Sequence, residues 1–165
     1  MFAQDVKDFP IFQDIHPAQL DRLGVVFELI HLPPDAVIFD QGELAHFLYL
    51  LASGKVIIRF KPYDGSALTI AVIQPGDIFG WSAALGKAIY TSAAVAAEDC
   101  AIYRVRSDRF AALCSDCPQP GADLLIRLAA AVNDRLQSIQ KEIVHEIQAR
   151  IEQQDNGRRK GTHGR

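Results

Sequence analysis

What this sequence lacks narrows it first. It holds no uninterrupted apolar run of the roughly 18 residues that a membrane-spanning helix needs, and no membrane association is expected. The opening MFAQDVKDFPIF carries Asp5 and Asp8 and has no basic-then-apolar layout of a secretory leader. An excess of charge of one sign is also lacking, with 17 Lys and Arg against 20 Asp and Glu. A formal net charge of −3 gives no whole-molecule attraction to nucleic acid or anionic lipid. Three cysteines cannot all pair internally, which fits a reducing compartment, and a cytoplasmic location is expected.

Reactive constellations are equally thin. Cys114 and Cys117 form a C-x-x-C, but no second Cys/His pair stands at metal-site spacing and no thioredoxin-like strand leads into them. They read as two small residues at a helix end before Pro118. G-x-S-x-G, P-loop and G-x-G-x-x-G motifs are all missing. His31 precedes a proline turn, which leaves His46 as the one histidine within the later run of short strands, with Glu43 nearby, too few ligands for a metal-dependent β-barrel enzyme. No metal and no catalytic residues are expected, and the chain reads as a non-enzyme.

What is present is a globular composition, 49% hydrophobic and 22% charged, in a chain long enough for a real core. Ile38 to Phe60, IFDQGELAHFLYLLASGKVIIRF, alternates short β runs with turns at Gly42 and at Ser53-Gly54. The pattern recurs in Pro75 to Trp81, PGDIFGW. Strands are predicted at 28–32, 36–39, 47–52, 55–60, 68–73, 78–80, 92–97 and 101–105. Pro33-Pro34-Asp35 and Asp64-Gly65 serve as turns. In the strand from Lys55, Arg59 and Lys61 should face solvent. Helices are predicted before and after the strands: one opened by Pro17, with Leu20, Leu23, Val26 and Phe27 at helical spacing, and a short one capped by Ser107-Asp108. Ser82 to Leu85 holds helix-forming residues inside the strand region.

After Pro120-Gly121 a long helix is predicted. Leu125, Leu128, Val132, Leu136, Ile139, Ile143, Ile147 and Ile151 form one apolar stripe in steps of 3 or 4 residues. Such a stripe either lies on its own domain or pairs with a second chain, and a parallel homodimer is the favoured reading. Residues 156–165 form a basic, glycine-containing tail. The expected organisation is therefore 1–118 as a β domain with N-terminal helices and a short closing helix, 119–155 as a dimerisation helix, and 156–165 as a flexible end.

The ordered glycine turns carry a resemblance. Phe39-x-x-Gly42-Glu43, then Leu48 to Val56, Pro75-Gly76-Asp77-Ile78-Phe79-Gly80, and the Thr91-Ser92-Ala93 strand together resemble the cyclic-nucleotide-binding domain of cyclic-AMP receptor-like regulators. The resemblance runs from about Phe9 to about Gln154. It implies a mainly β fold with flanking helices, an antiparallel double-stranded β-helix (a jelly-roll-like β-roll), with N-terminal helices and a long C-terminal helix. It also implies a site at Phe79, Gly80, Trp81, Ser82, Ala83, Thr91 and Ser92, reached by Gln140 from the long helix. In that family a carboxylate after F-G binds a ribose hydroxyl, and an arginine before S-A pairs with the phosphate.

Here the chain departs from the pattern. Trp81 stands where the carboxylate would be, and Thr91 where the arginine would be; the base-contacting hydroxyl pair of the helix falls on Ile139 and Gln140. Trp81 reads either as a plug that fills the cavity or as a stacking platform for a different ligand. Ser82 reads as a helix cap or a ligand group, Thr91 and Ser92 as strand residues or ligand groups, and Lys87 as a solvated loop lysine. The expectation is a ligand-sensing regulatory module with an altered phosphate pocket, open to a cyclic nucleotide or another small anionic ligand. The alternatives are a ligand-free interaction scaffold working with an unknown protein partner, or a truncated transcription regulator. The chain ends about ten residues past Gln154, so direct sequence-specific DNA binding is not expected.

Overall fold

The computed structural model describes residues 2–63, 65–116, 126, 127, 129 and 130. Met1–Ala129 forms one compact unit and Ala130–Arg165 a second. Every residue of the dimerisation stripe from Leu125 to Ile151, together with Gln140, Cys117 and the basic tail, lies outside the described residues.

Two short turns of helix, α1 (Gln4–Lys7) and a 3-10 turn (Pro10–Phe12), lead into α2 (Pro17–Val26). Pro17 occupies the first turn of α2, where its missing N–H costs nothing, and the His16 Nδ1 accepts the Ala18 N–H as a cap. Eight strands follow: β1 (Glu28–Leu32), β2 (Val37–Phe39), β3 (Phe47–Ser53), β4 (Val56–Phe60), β5 (Leu68–Ile73), β6 (Ile78–Phe79), β7 (Ala93–Ala96) and β8 (Cys100–Arg106). Helix α3 (Ser107–Asp116) closes the series. All eight predicted strands are present, with ends shifted by one residue at most.

The strands make two four-stranded antiparallel sheets, in the orders β1-β8-β3-β6 and β2-β7-β4-β5. Early strands pair with late ones, β1 with β8 and β2 with β7, so the chain rolls up as the expected antiparallel β-roll.

Strand β3 shows why the roll closes. Leu48, Tyr49, Leu50 and Leu51 are all buried, because its alternating side chains enter two different cores. Leu48 and Leu50 join Phe2, Phe12, Leu20, Leu23 and Phe27 under the N-terminal helices. Tyr49 and Leu51 face the space between the sheets with Phe39, Val56, Ile73, Phe79 and Ile102. Each fully buried leucine contributes on the order of 1.5–3 kcal/mol, so a one-residue slip of β3 would exchange two cores at once.

Arg59 and Lys61 are exposed, as the alternation of β4 predicts. Phe60 is 38% exposed although it shares the inward parity of Val56 and Ile58, since the β4–β5 register shifts between Ile58 and Arg59. At the far side of the N-terminal helices, Arg127 donates to the carbonyls of Ile11 and Gln13, tying the segment after α3 to the 3-10 turn.

Candidate ligand site

The described residues singled out from the sequence lie in two segments, 79–83 and 91–92, and both segments adjoin residues packed on or bonded to the start of β3. Phe79 ends β6 opposite Tyr49, and Gly80 follows it with φ +76. A Cβ at Gly80 would stand 2.7 Å from the Tyr49 ring and 3.1 Å from the Phe47 carbonyl, so only glycine fits this crossing. Trp81 to Gly86 then form a tight turn, not the regular helix that Ser82–Leu85 suggests by composition. The Leu85 N–H reaches the Trp81 carbonyl at 2.9 Å, and the Lys87 N–H reaches the Ser82 carbonyl at 2.9 Å. Gly86 at φ +69 supplies the left-handed residue that closes such a turn after a single cycle.

The return segment is stitched to the turn after β2. The Gly42 N–H bonds the Tyr90 carbonyl at 2.8 Å, the Tyr90 N–H bonds the Glu43 carbonyl at 2.9 Å, and the Ala45 N–H bonds the Ala88 carbonyl at 2.9 Å. Leu44 and Ile89 form an isolated bridge within this zipper. It delivers Thr91, exposed, and Ser92, partly buried, to the start of β7.

Four buried rings stack beneath these segments, each from a different stretch of chain. Tyr90 stacks on Phe39 with centroids 3.9 Å apart, Phe39 on Tyr49 at 5.5 Å, and Tyr49 on Phe79 at 5.1 Å. Trp81 is partly buried and lies outside this cluster. Tyr90 and its partners thus belong to the core between the sheets, and the indole does not. Ala83 is buried against the same core.

The polar inventory is neutral. Among the described residues the Trp81 indole and the hydroxyls of Ser82, Thr91 and Ser92 make no hydrogen bond within the protein. In particular Ser82 does not cap its own turn. Lys87 is exposed. Burial holds the Tyr49 phenol well above its ordinary range, reinforced by the adjacent Tyr90 hydroxyl and opposed by Arg104. Burial raises Tyr90 too, against the lowering effect of its bond to Phe47. Both remain neutral hydrogen-bonding groups at physiological pH. No carboxylate and no arginine comes from the matched positions, as the sequence requires.

Tyr90 is a residue that the sequence alone did not single out. Its signal was the regular placing of one aromatic on each of Phe39, Tyr49, Phe79 and Tyr90, visible only once the strands are stacked. Gln140 falls outside the described residues. Among those residues no group of three His, Cys, Asp or Glu is placed to hold a metal ion, and no helix is long and apolar enough to cross a membrane. An open cleft of about 350 Å³ lies at the other end of β3, lined by His31, Leu32, Pro33, Ser53, Asp99, Cys100 and Ala101, away from the residues that the sequence singled out.

Comparison with known proteins places this geometry. The family model of the cyclic nucleotide-binding domain matches residues 29–117. The cyclic AMP receptor protein of Thermus thermophilus is 30% identical over 129 residues, covering 78% of this chain and 60% of that protein. The crystal structure of the Thermus thermophilus catabolite activator protein superposes with a TM-score of 0.70 at 30% identity, covering 81% of this chain and 61% of that one. A cAMP-binding acyltransferase from Mycobacterium smegmatis aligns with a TM-score of 0.57 at 29% identity, over 64% of this chain and 33% of that one. The chain spans 60% to 64% of the length of the first curated relatives that it matches.

Proposed function

The chain belongs to the cyclic nucleotide-binding domain family, and from that premise we propose that it is a ligand-sensing regulatory domain whose phosphate pocket has been altered. The observation that carries the reading is the approach of Gly80, packed on the Phe47 carbonyl, and of Tyr90, which precedes Thr91–Ser92 and bonds Phe47, to the start of β3, with an indole and three hydroxyls left without protein partners among the described residues. That is the family's place for a ligand furnished with neutral donors instead of a carboxylate and a guanidinium. A phosphate held without the arginine loses a charge-assisted pair worth roughly 2–5 kcal/mol. The affinity for a cyclic nucleotide then falls by roughly 30-fold to several thousand-fold.

Titration calorimetry with cyclic AMP and cyclic GMP tests this. The expected outcome is binding weaker than micromolar, or none; a sub-micromolar affinity for either nucleotide overturns the altered pocket.

A second reading rests on a separate observation. The rings of Phe39, Tyr49, Phe79 and Tyr90 occupy the interior, which is what a module that has dispensed with its ligand and serves as a protein-interaction scaffold would show. Thermal-shift measurements with nucleotides and small anions separate the two, because a scaffold shifts with none of them.

Signalling is proposed to run through a homodimer built on the apolar stripe from Leu125 to Ile151, and light scattering on the purified chain reads the mass directly. A binding role without catalysis, a cytoplasmic location and no direct sequence-specific DNA contact complete the proposal. The receptor and activator relatives support the regulatory part, while the acyltransferase relative shows the same kind of domain serving an enzyme.

A further inference from the structure

Tyr90 is 3% exposed and stands one residue before the Thr91–Ser92 pair. Its ring already has a full packing role against Phe39, for which a phenylalanine would serve as well. The hydroxyl does something else. It accepts the Phe47 N–H at 3.0 Å and donates to the Phe47 carbonyl at 2.7 Å. These two groups face away from β8, and on that side β6 reaches only Tyr49 and Leu50. The phenol therefore stands in for a strand that ends too early, and keeps two backbone groups from being orphaned.

The Phe47 N–H belongs to the His46–Phe47 peptide group. Its other polar atom, the His46 carbonyl, accepts the Ser107 N–H at 2.9 Å. Ser107 is the first residue of α3. One planar peptide is thus bonded on one side to the segment that presents Thr91 and Ser92, and on the other to the start of the closing helix. The turn side packs on the adjacent peptide group, since the Phe47 carbonyl, which belongs to the Phe47–Leu48 peptide, is the backbone atom against which Gly80 is packed. Hydrogen bonds joined through one peptide polarise one another, so weakening either end weakens both.

We propose that Tyr90 is a positioning residue that couples the candidate ligand site to α3 through the His46–Phe47 peptide. This deepens the reading of Gly80–Ser82 and Thr91–Ser92 as a ligand site, but the coupling is a property of the unliganded chain and is tested without ligand. Withdrawing the Tyr90 hydroxyl from Phe47 leaves both groups of that residue unpaired. The start of β3 must then follow the Thr91 segment or lose its hydrogen bonds.

The experiment is amide hydrogen exchange on the full chain, comparing Tyr90→Phe with Val56→Ala, a buried truncation in β4 that lowers global stability without touching the relay. Exchange at Phe47 and at Ser107 is expected to accelerate about fivefold to tenfold beyond the change that Val56→Ala produces, the loss corresponding to one hydrogen bond. Acceleration at Phe47 with Ser107 following the control overturns the coupling.

The reciprocal variant is Ser107→Pro, which deletes the N–H at a helix-starting position that tolerates proline. It is expected to shift the emission of Trp81, the single tryptophan, in the same direction as Tyr90→Phe does. Unchanged Trp81 emission in Ser107→Pro also overturns the proposal. A calorimetric titration with cyclic AMP that shows no binding bears on the ligand reading alone and leaves these outcomes intact.

Discussion

The ring of Tyr90 lies 3.9 Å from that of Phe39, inclined by 18°, and so bolts the segment that carries Thr91 and Ser92 onto β2. Both residues are 3% exposed. Removing the Phe39 ring takes away one member of a four-ring stack that the surrounding backbone, zipped at Gly42, Glu43 and Ala45, cannot collapse to refill. Phe39→Ala is expected to cost about 3–5 kcal/mol, measured as a lower urea midpoint with an unchanged slope.

Two glycines with similar backbone angles should respond differently. Gly80 has φ +76, and a Cβ there meets the Tyr49 ring at 2.7 Å; Gly86 has φ +69 and nothing within 4 Å. Gly86→Ala pays only for the left-handed backbone, about 1–2 kcal/mol. Gly80→Ala adds the displacement of Tyr49 and should cost at least about 1 kcal/mol more. Thermal melts of the two variants side by side measure the difference.

Alkali should probe the ring stack through Tyr49. In the unfolded chain a phenol ionises near pH 10, whereas burial keeps this one protonated to a higher pH in the fold. Its contribution to stability is full below about pH 10 and is lost as pH rises from there toward the folded value. Melting temperatures followed upward from about pH 9 should decline less steeply in Tyr49→Phe than in the natural chain. An identical alkaline limb in both would show that Tyr49 does not set it.

The phosphate position can be refitted. Thr91 is exposed, so a longer side chain is accommodated there without disturbing the core. Thr91→Arg is expected to raise the affinity for cyclic AMP by about 30-fold or more, read by calorimetry, since it returns a bidentate cation to the segment where the family carries one. No gain in affinity would mean that the segment is not placed to meet a phosphate.

The strands were legible because their punctuation is local. Gly42, Gly54, Gly76 and Gly80 all adopt positive φ, and each marks a turn that a reader of the sequence places without any tertiary information. Leu68–Ile73 was bounded correctly for the same reason, between the turn at Asp64-Gly65 and Gln74-Pro75. Phe60 was less legible, since a register shift in β4–β5 overrides the parity rule that Val56 and Ile58 obey. The turn at Ser82–Leu85 misled through composition: its alanines favour helix, yet Gly86 ends it after one cycle. Tyr90 was invisible because its function is set by Phe39 and Phe47, residues of two other strands that come together only when the roll closes.

The pairing order of the roll has a consequence for how the chain is made. Glu28 of β1 finds its partner in Arg104 of β8, and Val37 of β2 finds its own in Val95 of β7. A ribosome that has released the first half of the domain has therefore exported strands with exposed edges and no mates. Among the described strands only the β4–β5 hairpin can zip early, because its two strands are neighbours in the chain. Completion waits for the residues around Arg106 to emerge, and such long-range closure is intrinsically slow. During that interval the apolar β3 strand, destined for two cores, is the segment most in need of shelter.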